Sequence, residues 1–200
     1  MTDANNKFHC IVGPSGVGKT ATLLRTLALR WGIYFEAYVY VKSSSKLTRT
    51  LHLQLQETRG RAAVLRAFRA MQLAFLLVLE AFRNVVSTAT PFNWMGLMLS
   101  ASSSQFALHA AIDALLTGVF CDCVAIAADV GVTVVTSALE KLRGELECSI
   151  VFVDEAQQFL NTALYGTHAS INGTLGRPVL SLLFEAIDGV VVSGTGYGAE

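Results

Sequence analysis

Gly13-Pro-Ser-Gly-Val-Gly-Lys19-Thr20 is the stretch of this 200-residue chain that decides its fold. The apolar run FHCIV at 8–12 precedes it and predicts a buried strand, and a helical pattern over 20–31 follows it. Glycines let the backbone turn so that its N–H groups point at phosphate oxygens, and the start of a helix adds the positive end of its dipole. The stretch therefore predicts a phosphate-binding loop between a strand and a helix.

The chemistry of this loop predicts a nucleoside triphosphate ligand, ATP, together with Mg²⁺. Lys19 would reach the β- and γ-phosphates, and the Thr20 hydroxyl would bind Mg²⁺. Lys19 thus counts among the expected catalytic groups, and Thr20 among the expected metal ligands. The residues that we expect to contact the nucleotide are Gly13, Pro14, Ser15, Gly16, Val17, Gly18, Lys19 and Thr20.

A second motif, Ile150-Val-Phe-Val-Asp154-Glu155, is an apolar strand that ends in two acids. The carboxyl ends of parallel strands share one edge of a sheet, so Asp154 is expected near the phosphate loop as a Mg²⁺ ligand. Glu155 would orient or deprotonate the attacking water, which favours hydrolysis over transfer to a second substrate. The alternative for this pair is the acidic first turn of a helix.

A third motif is the apolar strand at 190–193, followed by Gly194-Thr195-Gly196. It would place Ser193 or Thr195 beside the γ-phosphate as a polar sensor, and we assign Thr195 to the catalytic set. A plain turn after a strand explains the same residues equally well. Arg177 could also contact phosphate, although a solvated surface arginine is the commoner case.

Strands expected at 8–12, 35–41, 149–153 and 190–194 alternate with helices, which predicts an α/β fold with a mostly parallel sheet. We interpret it as a P-loop NTPase three-layer sandwich forming a single domain over 1–200, incomplete at its carboxy terminus. Its core would comprise 7–43 and 144–200, with a large helical insertion over 44–143 between the second strand and the Asp-Glu strand. Helical patterns cover 59–83, 105–117, 131–143 and 179–187.

Composition excludes disorder, because 52% of residues are hydrophobic and only 15% charged, against a usual charged share of about 25%. Net charge is zero, but residues 1–83 hold 12 basic and 4 acidic side chains, while 84–200 hold 3 and 11. Nucleic-acid contact is therefore an open alternative to a solvated basic face, carried by Lys42, Lys46, Arg49, Arg59, Arg61, Arg66 and Arg69.

We expect no membrane span, because the longest clearly apolar run, 70–79, is half the roughly 20 residues required. The uncharged stretch 84–112 is interrupted by Pro91 and Asn93. The amino terminus is polar, which predicts an intracellular protein, cytoplasmic or nuclear. The four cysteines fit no zinc spacing; Cys10 and Cys148 fall in strand-like runs as reduced, apolar residues.

Taken together, GPSGVGKT, RWGIYFEAYVYV, VFVDEAQQF, GRPVLSLLFEAI and VVVSGTG resemble the NTPase module of crinkler-type proteins of fungi and oomycetes. Those modules are similar to AAA+ and STAND ATPases. The resemblance implies nucleotide contacts at 13–20, Mg²⁺ and water chemistry at Asp154 and Glu155, and a polar sensor near Thr195. The amino-terminal delivery segment and the nuclease-like domain of crinklers have no counterpart in this sequence, nor do the lid and fifth strand that usually follow a sensor strand.

The function we expect is Mg²⁺-dependent ATP hydrolysis that drives or gates a conformational change, with possible self-association. One alternative is a nucleotide-dependent switch or scaffold with little hydrolysis. Another is a fragment of a DNA-handling, AAA+ or helicase-like motor. A small-molecule kinase is disfavoured, because Glu155 would activate competing water.

Overall fold

The computed structural model describes residues 9–14, 17–38, 45–57, 60–102, 107–160 and 179–194. It is an α/β protein, mostly helical, with a small parallel sheet. The strands are β1 His9–Val12, β2 Gly32–Glu36, β3 Ile150–Asp154 and β4 Val190–Gly194. The helices are α1 Lys19–Leu27, α2 Lys46–Glu57, α3 Arg61–Val85, α4 Pro91–Ser102, α5 Ala107–Val130, α6 Val132–Glu145 and α7 Val179–Ala186.

The sheet has the strand order β1-β4-β3-β2, and every neighbouring pair is parallel. Val12 lies opposite Gly194, and Glu36 lies opposite Asp154. The carboxyl ends of all four strands therefore meet at one edge. The prediction that four strands form one parallel sheet is confirmed, with β2 beginning and ending a few residues earlier than expected.

The strand β1 is not buried, and the prediction that it would be is wrong. His9 and Cys10 are exposed, and the side chain of Val12 is 58% exposed. The physical reason is its position, since β1 is an edge strand and pairs only with β4 among the described residues. The apolar run at 8–12 has the composition of a strand, but composition does not reveal whether the strand is central.

The other edge strand, β2, is covered by α4. The Trp94 indole Nε1–H donates to the Gly32 carbonyl at 2.8 Å, and the backbone N–H of Tyr34 donates to the Met98 sulfur at 3.2 Å. These bonds satisfy backbone groups that an open edge would leave unpaired. Position 32 must be a glycine because neighbouring atoms lie close to its backbone. A Cβ there would lie 2.6 Å from a Leu27 methyl and 3.0 Å from the Ile150 carbonyl oxygen.

Helix α4 lies within the predicted helical insertion, in the uncharged stretch where we noted Pro91 and Asn93 as interruptions and assigned no separate helix. In the structure Pro91 is the first helical residue, a position where its missing N–H and fixed φ cost nothing. The Thr90 hydroxyl accepts a hydrogen bond from the backbone N–H of Asn93 at 3.2 Å, which caps the helix. Proline and asparagine thus mark where α4 begins rather than a loop.

Five described helices, α2 to α6, lie between β2 and β3, where the sequence predicts the helical insertion. Helix α3 contributes the most buried side chains of the described helices, and it packs against α5, α6 and α7. Helix α5 continues to Val130, well past the predicted end at 117. Buried side chains of these helices and of the sheet form one hydrophobic cluster, so the inserted helices share the core of the sheet.

The amino end of α2 is fixed by a carboxylate from α5. Asp113 is 5% exposed and accepts hydrogen bonds from the backbone N–H groups of Lys46, at 2.5 Å, and Leu47, at 3.0 Å. The Thr48 hydroxyl donates to the Glu36 carbonyl at 3.1 Å. The first turn of α2 is therefore tied both to α5 and to the end of β2.

Two described helices are long and apolar enough to cross a membrane by length and composition. The stretch Arg61–Val85 is 72% buried over its most apolar window, and Ala110–Val130 is 33% buried. The core helix of a soluble protein passes the same test, so these two helices are weak support for a span. The expectation of no membrane span stays a prediction.

Candidate functional site

The phosphate-loop motif connects β1 to α1 at the carboxyl edge of the sheet. Gly18 has φ of 84°, a left-handed conformation that favours glycine, and α1 begins at the next residue. A Cβ on Gly13 would lie 3.1 Å from a Val17 methyl, which leaves little room for a side chain. Ser15 and Gly16, also expected to contact nucleotide, lie outside the described residues.

Lys19 folds back into this loop. Its ammonium Nζ donates to the carbonyls of Gly13 and Pro14, each at 2.8 Å. The residue is only 8% exposed, so its aliphatic stem is buried and its charge is held by the loop backbone. The loop thus contains a buried cation whose partners among the described residues are neutral carbonyl oxygens. An anionic ligand would be a stronger partner for that charge.

Asp154, at the end of β3, accepts hydrogen bonds from four directions. The Thr20 hydroxyl donates to Oδ2 at 2.6 Å, and the Tyr34 hydroxyl donates to the same oxygen at 3.1 Å. The Ser193 hydroxyl and the backbone N–H of Glu155 donate to Oδ1, the latter at 3.0 Å. With Asp154 only 4% exposed, this shell satisfies a carboxylate that burial alone would disfavour.

Glu155 directly follows Asp154 and has an unusual backbone conformation. Its φ is 53°, a left-handed value that is unusual for a side-chain-bearing residue and costs roughly 1–2 kcal/mol. The backbone turns there into a short 3₁₀ helix, Ala156–Leu160, and the Gln157 amide donates to the Glu155 carboxylate. Strain of this kind concentrates at functional sites.

The edge of the sheet is electronegative. Burial raises the pKa of the half-buried Glu36 carboxyl, and the neighbouring Asp154 and Glu155 raise it further. Burial also raises the pKa of the Tyr34 hydroxyl, reinforced by the charge of Asp154, so this hydroxyl stays a donor. Mutual repulsion among three carboxyl groups would be relieved by a cation.

The structure brings together Lys19, Thr20 and Asp154, with Glu155 next to them. Ser193, the other sensor candidate, donates to Asp154, whereas Thr195 and Arg177 lie outside the described residues. Sequence reasoning missed Tyr34 and Glu36. The available signal was a tyrosine and a glutamate within the YFEA segment, but their place at the site depends on β2 lying beside β3.

The described residues contain no group of three or more His, Cys, Asp or Glu side chains that could form a metal centre. A Mg²⁺ ion bound together with a nucleotide needs fewer protein ligands, because phosphates and waters complete its octahedral shell. The Thr20 hydroxyl and the Asp154 carboxylate are hard oxygen donors in contact with each other. Their donor set fits that ion.

The basic residues noted in the sequence are spread over two helices. Lys46 and Arg49 are exposed on α2, and Arg66 and Arg69 are half-buried on α3. Arg61 pairs with Glu185 of α7, while Lys42 and Arg59 lie outside the described residues. Nucleic-acid contact stays a prediction.

The four cysteines are free thiols. Cys148 is buried, as expected for an apolar role, and burial raises its thiol pKa to about 12. Cys10 is exposed on the edge strand β1, contrary to that expectation.

Comparison with models of known protein families, with curated proteins and with solved structures gave no match to this chain.

Proposed function

We propose that this chain is a P-loop NTPase that binds ATP with Mg²⁺ and hydrolyses it to drive or gate a conformational change. The observation that carries the proposal is the 2.6 Å hydrogen bond from Thr20 to Asp154. It joins the phosphate loop to the end of the Asp-Glu strand, 134 residues away in the chain, and it is the pairing of these two motifs that suggests nucleotide chemistry. The finer description of the fold, a P-loop three-layer sandwich related to the crinkler NTPase module, belongs to this proposal.

Binding would use groups that already face the loop. Backbone N–H groups at the start of α1 and the Lys19 ammonium would hold the phosphates, with Lys19 exchanging the carbonyls of Gly13 and Pro14 for phosphate oxygens. Thr20 and Asp154 would hold the Mg²⁺ ion, whose chemistry is to neutralise charge on the phosphate oxygens. Tyr34 and Ser193 would keep the Asp154 carboxylate oriented.

Hydrolysis would depend on Glu155. Asp154 would serve the metal ion, while Glu155, the next residue, would accept a proton from water. The half-buried position of Glu155 leaves it accessible to a water molecule. The sensor role of Thr195, self-association and an intracellular location are parts of the same proposal.

A nucleotide-dependent switch with little hydrolysis is the second candidate, and one contact favours it. The Gln157 amide donates to the Glu155 carboxylate, so this carboxylate already has a hydrogen-bond partner that a water molecule would have to displace. A protein held in this arrangement would bind ATP and turn it over slowly. Turnover at saturating ATP distinguishes the two candidates.

The test is ATP binding by the Lys19→Ala variant. Removing the cation of the phosphate cradle should weaken binding about tenfold or more, measured by isothermal titration calorimetry in the presence of Mg²⁺. Lys141→Ala is the matched control, because Lys141 is an exposed lysine on α6 whose only described ion pair, with Glu145, is weak at 3.8 Å. Equal affinity of the Lys19 variant and wild type would overturn the phosphate-loop assignment.

A further inference from the structure

A cavity lies near the edge of the sheet opposite the phosphate loop. Its volume is about 200 Å³, and it lies between α3, α6 and α7. Its lining includes Arg143, whose guanidinium donates to the carbonyls of Ser149, just before β3, and Asp188, just before β4. Both strands begin there, so the cavity is at their amino ends, away from Asp154.

The cavity contains a buried amide donor without a partner. Gln72 of α3 is 2% exposed, lines the cavity, and its Nε2 has no hydrogen-bond partner among the described residues. A buried donor left unsatisfied has lost its hydrogen bonds to water without replacement, which destabilises the fold. Buried polar groups in proteins are nearly always hydrogen-bonded, so the Gln72 amide is unfavourable there unless something in the cavity accepts its hydrogen bond.

Two charges of opposite sign face the same space. Arg69 of α3 and Glu140 of α6 both line the cavity, and among the described residues neither forms an ion pair. The other charged groups of the lining are engaged: Arg143 lies 3.8 Å from Asp188, and Glu185 pairs with Arg61. One cation, one anion and one amide donor thus remain to meet a ligand.

We propose that this cavity binds a small zwitterion of the size and chemistry of a free α-amino acid. Its carboxylate would meet the Arg69 guanidinium and the Gln72 amide, and its ammonium would meet the Glu140 carboxylate. Leu139 and Ala186, both buried in the lining, would contact its side chain. The volume suits this size, since a cavity of about 150 Å³ accommodates benzene. The inference is independent of the proposed nucleotide site.

The first test is calorimetric titration of the purified chain with glycine, L-alanine, L-valine and L-leucine at millimolar concentrations. We expect binding by at least one of them, with affinity that changes along this size series. The matched amide, which lacks the carboxylate, and the matched N-acetyl derivative, which lacks the ammonium, should each bind about tenfold more weakly or worse. No heat of binding for any of the four amino acids would overturn the proposal.

Variants localise that binding to the cavity. Gln72→Leu, Arg69→Gln and Glu140→Gln should each weaken it by about tenfold or more, because each removes a hydrogen bond or charge to a charged ligand. Gln72→Leu should also raise the melting temperature, since it removes an unpartnered amide, so its loss of binding cannot be ascribed to unfolding. Arg25→Gln, an exposed change on α1, is the control. Binding unchanged in all three cavity variants would contradict the assignment.

Discussion

The amino end of α2 and the carboxyl edge of the sheet each contain a buried aspartate, and the donors around the two differ. Asp113 accepts from the backbone N–H groups of Lys46 and Leu47, which are fixed by the helix backbone and cannot rotate toward another acceptor. Asp154 accepts mainly from the hydroxyls of Thr20, Tyr34 and Ser193, which can rotate toward another acceptor. Both acids are satisfied, but only Asp154 can exchange its partners while the fold stays intact.

This difference in donors indicates that Asp113 and Asp154 have different roles. A carboxylate bonded to backbone amides is a helix cap, and its loss is a loss of stability. A carboxylate bonded to hydroxyls beside a buried lysine and a strained glutamate is suited to a ligand that arrives and departs. Mutations at the two positions should therefore separate stability from nucleotide chemistry.

The largest effect is expected next to Asp154. Glu155→Gln retains the shape of the side chain and removes its proton acceptor, so ATP turnover should fall by about a hundredfold or more. ATP binding should be at least as tight as in wild type. Steady-state hydrolysis and calorimetry measure the two quantities. A variant that keeps most of the wild-type rate would show that Glu155 is not the base; a wild type with no turnover would favour the switch.

The next largest effect is expected on the stability of the fold, when Asp113 is replaced. Asp113→Ala removes two hydrogen bonds to a charged acceptor and should lower the free energy of unfolding by about 4 kcal/mol. For a chain of this length, that corresponds to a melting temperature roughly 10 °C lower. Thermal unfolding of Asp122→Ala, an exposed change on the same helix, is the control and should show little difference. Equal melting temperatures of the Asp113 and Asp122 variants would contradict the role of Asp113 as the cap of α2.

His52 of α2 gives a smaller, pH-dependent effect in the region that Asp113 caps. Its Nε2 lies 2.9 Å from the Ala37 carbonyl, its ring stacks on Phe159, and burial lowers its pKa from 6.5 to about 4. Between those values the unfolded chain binds a proton that the folded chain does not. The stabilising contribution is thus complete above pH 6.5 and is lost as pH falls toward 4, by up to about 3 kcal/mol.

The measurement is denaturant unfolding across that pH range. His52→Gln cannot titrate, so its free energy of unfolding should fall less steeply with acidification than that of wild type. His9→Gln, at an exposed position on β1, is the control and should follow wild type. If wild type and His52→Gln show the same pH dependence, the histidine is not held neutral by burial.

The sequence predicted what depends on local spacing. Lys19, Thr20 and Asp154 were found because each stands at a fixed place in a short motif, and the long amphipathic pattern located α3 within two residues at each end. Reasoning from the sequence missed the features that depend on which residues are neighbours in space. The cap of α2 by Asp113 joins positions 67 residues apart, and the roles of Tyr34 and Glu36 require the strand order, which no single strand encodes.

The exposure of β1 was missed for the same reason. An apolar run predicts a strand, but whether both faces are covered depends on which strands flank it. The start of α4 was not assigned, because a proline can begin a helix or break one, and only the hydrogen bond of Thr90 with Asn93 distinguishes the two cases. The Gln72 cavity joins three helices, and nothing in the local pattern of α3 indicated it.

The central claim is that Asp154 can give its carboxylate to a metal ion and Asp113 cannot. The most direct measurement is the affinity for ATP, with Mg²⁺ and with a chelator, of wild type, Asp154→Asn and Asp113→Asn. We expect Mg²⁺ to tighten ATP binding by wild type and by Asp113→Asn, studied at a temperature where it is folded, and to have little effect on Asp154→Asn. If Asp154→Asn keeps the full Mg²⁺ dependence, or wild type does not bind ATP, the account is contradicted.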